Sequence, residues 1–124
     1  MNTSKYLHFL QKEIHSAAFA TIGSDGHPQV RIIDIMLCDD CSFYFLTAKG
    51  KAFYQQLLEQ AYVAVAGTKE GRAISLWGKV REANPGLLRD IFAFNPYMQD
   101  IYPGDTRKAL VVFQMYEAQG EFFD

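Results

Sequence analysis

The sequence predicts a small, mainly β domain with α: an antiparallel barrel of about six strands crossed by three helices. Short runs rich in β-branched and aromatic residues alternate with hairpin turn signals. The first of these runs follow one another directly, as a meander. The helical stretches fall at intervals that do not build the strand–helix–strand alternation of a doubly wound parallel sheet. With 124 residues, the expectation is one domain spanning residues 1–124, large enough to bury roughly two-thirds of its unfolded surface.

Residues 3–16 read as an amphipathic helix, with Leu7, Leu10, Ile14 and Ala17 on one stripe and Lys5, Lys12 and Glu13 off it. Thr3 or Ser4 stands where a cap belongs, with no capping box behind it. Residues 18–23 form a β-type run that stops at Ser24-Asp25-Gly26. Asp-Gly signals a hairpin, because a type I′ turn demands positive φ at both central positions. Residues 30–38 follow as one strand, with Val30, Ile32 and Met36 on one face and Ile33, Ile35 and Leu37 on the other. Apolar residues on both faces predict a central strand covered on both sides, interrupted by Arg31 and Asp34.

Asp39-Asp40 turns the chain into the aromatic strand 42–47. Ala48-Lys49-Gly50 breaks the pattern, and residues 51–60 read as a helix with Phe53 and Leu57 inward. Strands are expected at 62–66 and 72–81, joined by a polar turn at 68–71. Pro85 suits the first turn of a helix reaching Phe94, and Asn95-Pro96 ends it. After a loop at Pro103-Gly104-Asp105, the last strand is 109–115, with a short tail at 119–124.

Composition sets several classes aside. Hydrophobic residues make up 49% and charged residues 21%, a globular balance. The formal net charge of −2 argues against a general nucleic-acid binder, which carries a basic face. No window approaches a membrane span, and the charged N-terminus lacks the apolar region of a secretion signal, so a cytoplasmic protein is expected. Aromatics reach 15%, which implies either a dense core or apolar surface covered by a partner or ligand.

One constellation suits an anion. Arg31 interrupts an apolar strand, and Thr47, Lys49, Gly50 and Lys51 follow the next one. If the hairpin closes near residues 39–41, a guanidinium, a hydroxyl and ammonium groups converge beside a glycine-containing loop. Lys51 also begins a helix, whose free N–H groups and dipole favour negative charge. The pattern fits a phosphate; an ordinary solvated turn is the plainer alternative. Cys38 and Cys41 form a C-x-x-C, but no further cysteine and no closely spaced histidine pair completes a zinc set, so no metal is expected. His8, His15 and His27 have no nucleophile at recognisable spacing. Gly78 inside a strand marks a bulge or a close approach. Trp77 beside it either fills a core or interface or stacks on a ligand.

In order, FATIGSDGHPQVRIIDIML, FYFLTAKGKAFYQQLLEQAYVAVAG and RAISLWGKVREA resemble the FMN-binding split barrel of the pyridoxamine 5′-phosphate oxidase-like superfamily, over residues 17–83. The shared pattern is an Ala-Thr strand, a D-G turn, proline before an arginine-bearing strand, an aromatic strand ending in Thr, a lysine-bearing helix start and a strand with internal Gly-Lys. The resemblance implies a six-stranded antiparallel split β-barrel with peripheral helices, working as a homodimer with FMN at the interface. It implies that Arg31, Ile32, Ile33 and Asp34 run beside the flavin ring and ribityl chain, with Arg31 reaching the phosphate. Leu46 and Thr47 flank the ring and phosphate side. Lys49, Gly50 and Lys51 bind the phosphate. Trp77 and the aromatics Phe92, Phe94, Tyr97 and Tyr102 are candidates to tune or gate the ring.

Two departures shape the expectation. The vitamin B6 oxidases of the superfamily carry a C-terminal Arg/His segment that EAQGEFFD does not match, and their Arg-Lys pair at the phosphate loop is Gly50-Lys51 here. The expected protein is therefore a short, bacterial-type flavoprotein, an FMN-dependent oxidoreductase acting on a small molecule, rather than a vitamin B6 oxidase. A non-catalytic module holding flavin or another phosphorylated ligand is the second reading. A barrel binding single-stranded nucleic acid through its aromatics is the third, opposed by the acidic balance.

Overall fold

A computed structural model describes residues 3–123. Helix α1, Thr3–His8, continues as a wide π-helical turn over Phe9–Ile14. Strands β1 (Ser16–Ile22), β2 (Pro28–Asp34), β3 (Leu37–Cys38) and β4 (Phe43–Ala48) precede helix α2, Ala52–Gln60. Strands β5 (Tyr62–Lys69) and β6 (Arg72–Glu82) follow, then helices α3 (Leu87–Phe94) and α4 (Met98–Ile101). A 3₁₀ segment, Gly104–Ala109, leads into β7, Leu110–Phe123. Among the described residues, no helix is long and apolar enough to cross a membrane.

The strands form a seven-stranded antiparallel sheet in the order β2-β1-β5-β6-β7-β4-β3. Its two ends curl towards each other, giving a split barrel. The count exceeds the expected six because residues 30–38 do not make one strand. β2 pairs with β1, and the chain then changes partner. The Ile35 N–H donates to the His15 carbonyl at 2.6 Å and the Met36 N–H to the Tyr44 carbonyl at 2.9 Å. β3 then pairs with β4. One stretch of chain thus closes the barrel at one end and leaves a seam between β2 and β4.

The sheet also corrects the reading of residues 30–38 as a strand covered on both sides. β2 is an edge strand, and Val30 and Ile32 are 65% and 67% exposed. The tail is corrected in the other direction. Beyond Met115, β7 continues to Phe123 along β6, with a register shift at Trp77/Lys79. Gly78 makes this possible: a Cβ there would stand 3.0 Å from the Tyr116 carbonyl oxygen and 3.1 Å from the Ala118 Cα. Of the expected caps, the Ser4 hydroxyl donates to Asp40 instead. The Thr3 side chain and Asp124 lie outside the described residues.

The barrel interior explains the surplus of rings. Phe19, Phe43, Phe45 and Phe113 are fully buried and meet edge-on, tilted or stacked. Each contributes roughly 1.5–3 kcal/mol through burial. Leu7 and Leu10 of the first helix and Leu57 of α2 join the same core. A second cluster, built on Leu46, Ile91, Phe92, Met98 and Val112, fixes α3 and α4 beside β4 and β7. β4 serves both: Phe43 and Phe45 point into the barrel while Leu46 points to the helices. The two packed cores place α2 and α4 on either side of the β2–β4 seam.

Candidate functional site

A cleft of about 530 Å³ opens along that seam. Arg31, Ile32, Ile33 and Asp34 of β2 line one side, Leu46, Thr47 and Ala48 of β4 another, and Lys51, Ala52 and Phe53 the start of α2. Met36, Met98, Ile101, Tyr102 and Leu110 complete an apolar wall.

The polar end is built around Arg31. Its Nη1 donates to Thr21 Oγ1 at 2.5 Å, and its Nη2 to Gln56 Oε1 at 3.1 Å and Gln29 Oε1 at 3.4 Å. The guanidinium carbon lies 4.5 Å from the centre of the Phe53 ring, within cation–π range. Among the described residues no carboxylate pairs with it. Burial pulls Arg31 below its ordinary pKa, yet a guanidinium remains charged. Lys51, the exposed residue that precedes α2, likewise has no carboxylate partner among the described residues, and no side chain caps the helix. The first N–H groups of α2 therefore add positive potential beside Ala52. Thr47 is 5% exposed, and its Oγ1 has no hydrogen-bond partner within the protein. A buried hydroxyl without a partner costs about 1–3 kcal/mol unless something completes it. Thr47 is one of the residues that line the cleft.

The other end is differently arranged. Asp34 accepts from the Ser16 hydroxyl at 2.5 Å and the Tyr97 hydroxyl at 2.6 Å. His15 Nε2 lies 2.8 Å from the same Tyr97 oxygen and 3.7 Å from Asp34 Oδ2. Burial first, and then the carboxylate it donates to, push the Tyr97 phenol far above its ordinary pKa, so it stays a donor. Asn95 adds a second tie, donating to the Met36 and Ile91 carbonyls. Together these bonds fasten the helical wall carrying Met98 and Ile101 to Asp34 of β2 and to Met36 just beyond it.

Seven of the ten residues singled out in the sequence meet on this cleft: Arg31, Ile32, Ile33, Asp34, Leu46, Thr47 and Lys51. Lys49, Gly50 and Trp77 do not. The Lys49 N–H bonds back to the Ala109 carbonyl, which turns its side chain to a separate groove with Glu82, Ala83 and Leu88. Gly50 is the exposed apex of the turn, with nothing within 4 Å of the place a Cβ would occupy. Trp77 alternates with the buried Leu76 and Gly78, so it stands on the outer face of β6, opposite Ala64 and Gln119. Tyr102 lines the cleft and Tyr97 braces it, whereas Phe94 is 74% exposed and Phe92 packs under Arg107. Cys38 is half-buried, which pushes its thiol up, and Cys41 is exposed.

Sequence reasoning misses Gln56, Phe53's role beneath Arg31, and His15 as a partner of Tyr97. The helical period places Phe53 inward but gives no hint of what it packs under. Gln56 shares the inward side of α2 with Phe53 and Leu57, and that position is the available signal.

The geometry defines a class: a split β-barrel whose seam holds an apolar cleft with a positively charged end. The chain matches the family model "Pyridoxamine 5′-phosphate oxidase" over residues 3–120 and belongs to that family. The fold is shared with a NimC/NimA family protein from Clostridium acetobutylicum, at 18% identity and a TM-score of 0.82, covering 100% of this chain and 89% of that one. An F420 reductase superposes with a TM-score of 0.71 at 19% identity, covering 94% of each chain. A FAD-binding protein from Mesorhizobium loti also gives 0.71 at 17% identity, covering 99% and 96%. No curated protein matches the sequence.

Proposed function

We propose that the protein is an FMN-binding flavoprotein of the cytoplasm, an oxidoreductase that passes hydride or electrons through the flavin to a small molecule. The observation that carries this reading is the cleft itself: an apolar length ending in Arg31, Lys51 and the unpartnered Thr47 hydroxyl, in a chain of this family. A flavin mononucleotide matches both ends, with a flat ring for the apolar wall and a dianionic phosphate for the cations. In this reading Arg31 and Lys51 hold the phosphate and Thr47 completes a hydrogen bond to the ligand. Met36, Leu46 and Met98 exclude water from the ring. The bound flavin supplies the redox chemistry, and the chain supplies binding, orientation and electrostatics.

The same proposal includes a homodimer. Val30 and Ile32 continue across the outer sheet face into Ala20, Ala64 and Trp77 and into Ala18 and Ala66, as the strand register aligns them. An alanine-paved face with exposed branched residues at its edge is unusual for a solitary surface. Ile32 belongs to both that face and the cleft, so a second copy seated there would also wall the flavin.

The test is the purified protein's visible spectrum and its sedimentation. The expected result is a yellow dimer that releases FMN on denaturation and is reduced by a nicotinamide donor. Failure to take up added FMN sinks the reading. Flavin binding without turnover of any electron acceptor leaves a carrier or sensor, and a monomer removes the second copy.

A further inference from the structure

The neutral shell around Arg31 carries an inference that rests on the flavin reading and goes beyond it. Gln56 is 6% exposed and Thr21 4%. The Thr21 hydroxyl donates to Gln56 Oε1 at 2.5 Å and accepts from Arg31 Nη1, while Gln56 Nε2 donates to Gln29 Oε1 at 2.8 Å. The Gln56 amide therefore has one orientation: its oxygen takes two donors and its nitrogen gives to Gln29. Every oxygen that receives Arg31 belongs to an uncharged side chain. A glutamate at position 56 has nearly the same shape and keeps an oxygen facing Thr21 and Arg31, with a second oxygen where Nε2 now donates to Gln29, and it would turn this shell into a buried ion pair. A half-buried guanidinium without a counter-charge is costly by itself. It is worth keeping only where an external anion supplies the charge.

We propose that Gln56 is the positioning residue of the cleft's anion end: its amide holds the Arg31 guanidinium in place while withholding negative charge, so that the cleft selects ligands ending in a phosphate dianion. Gln56 touches Arg31 and does not line the cleft, so it acts through the arginine. The selection is for charge, and the unphosphorylated flavin is the ligand it rejects.

Gln56→Glu is the direct test, read by titrating FMN and riboflavin separately and by the thermal shift that pyrophosphate gives the flavin-free protein. The variant is expected to lose roughly tenfold or more in FMN affinity, because Arg31 acquires an internal partner. Riboflavin affinity should stay within about twofold, since riboflavin lacks the group that Arg31 would hold. Pyrophosphate should stabilise the native protein and not the variant. Equal losses for both flavins would mean that Gln56 only supports the fold, and an unchanged preference for FMN would mean that it does not govern the charge; either result overturns the inference. Should Gln56→Glu fail to fold, Gln29→Glu places the same charge on an exposed residue of the shell, and the same comparisons apply with a smaller expected loss. If the native protein binds neither flavin, the flavin reading fails and the pyrophosphate comparison decides alone. A shift present in the native protein and lost in the variant then sustains the role of Gln56, and equal responses, including none in either, overturn it.

Discussion

Arg31 and Asp34 sit on the same edge strand and line the same cleft, yet their charges are treated in opposite ways. Arg31 is surrounded by Thr21, Gln56, Gln29 and the Phe53 ring, all neutral. Asp34 takes hydrogen bonds from Ser16 and Tyr97 and has His15 at 3.7 Å. A half-buried carboxylate with that many donors is already satisfied, and its bonds tie the α3–α4 wall to β2. A half-buried cation denied a counter-charge is incomplete. The contrast separates an ionisable residue that builds a cleft from one that serves what enters it, and residue type alone does not make that distinction.

The strongest test removes the incomplete charge. Arg31→Met is expected to cost FMN roughly 100-fold in affinity, the worth of a charge-assisted phosphate contact. Riboflavin should lose far less. The flavin-free protein should change in stability by less than about 1 kcal/mol, since Thr21 and Gln56 still bond to each other. Titration of both flavins and denaturant unfolding measure these quantities. Marked destabilisation without a change in FMN preference would make Arg31 a structural residue like Asp34 and erase the comparison.

Tyr97→Phe attacks the other end. It removes the donor to Asp34 and the partner of His15 while keeping the ring, so roughly 1–2 kcal/mol of stability should be lost. The FMN-to-riboflavin ratio should hold, because the phosphate end is untouched. A thermal melt and the same titrations check both statements, and a collapse of FMN preference with stability intact would reverse the assignment.

Half of this contrast is legible in the amino-acid sequence. Arg31, Thr47 and Lys51 stand out because charges and hydroxyls beside apolar strands ask for partners, and hairpin geometry brings them together. The hairpin signal at Asp25-Gly26 and the bulge signal at Gly78 are local as well, and local signals survive folding. The turn is nevertheless not the expected type I′: only Gly26 takes positive φ, and the Gly23 N–H reaches across three residues to the His27 carbonyl. What stays hidden depends on distant pairing. Nothing near His15 or Asp34 announces Tyr97, which arrives from the far side of α3. The partner change at Ile35 and Met36 also escapes, since an apolar run looks the same whether it pairs with one neighbour or passes from β1 to β4. The run's apolar outer face reads as covered; it is bare in the single chain, and that bareness is what the proposed dimer would use.

Lys51 tests how far the phosphate end extends beyond Arg31. It is exposed, so solvent screens it and its contribution should be smaller. Lys51→Ala is expected to weaken FMN by about fivefold to tenfold at low salt, with the difference shrinking as ionic strength rises. Isothermal titration at several salt concentrations measures this. A loss that ignores salt, or one shared equally by riboflavin, would place the phosphate elsewhere.

The smallest effect carries the comparison to a carboxylate outside the cleft. Asp39 is exposed at the turn between β3 and β4. Partial burial raises its pKa, but hydrogen bonds from the Cys41 and Ser42 N–H groups and the Ser42 and Tyr44 hydroxyls outweigh it and hold the group below the ordinary carboxylate value. Because the folded value is the lower one, the unfolded chain binds the proton more readily. The stabilisation is therefore complete above the unfolded value, near 4, and is lost as pH falls through the folded one. Asp39→Asn should cost about 0.5–1 kcal/mol at neutral pH, a figure kept small for solvent screening. Unfolding curves of the two proteins should converge in acid, as protonation removes the native charge. If the gap persists undiminished to low pH, the turn is held by the shape of the side chain and not by its charge, and Asp39 is satisfied in a different sense from Asp34.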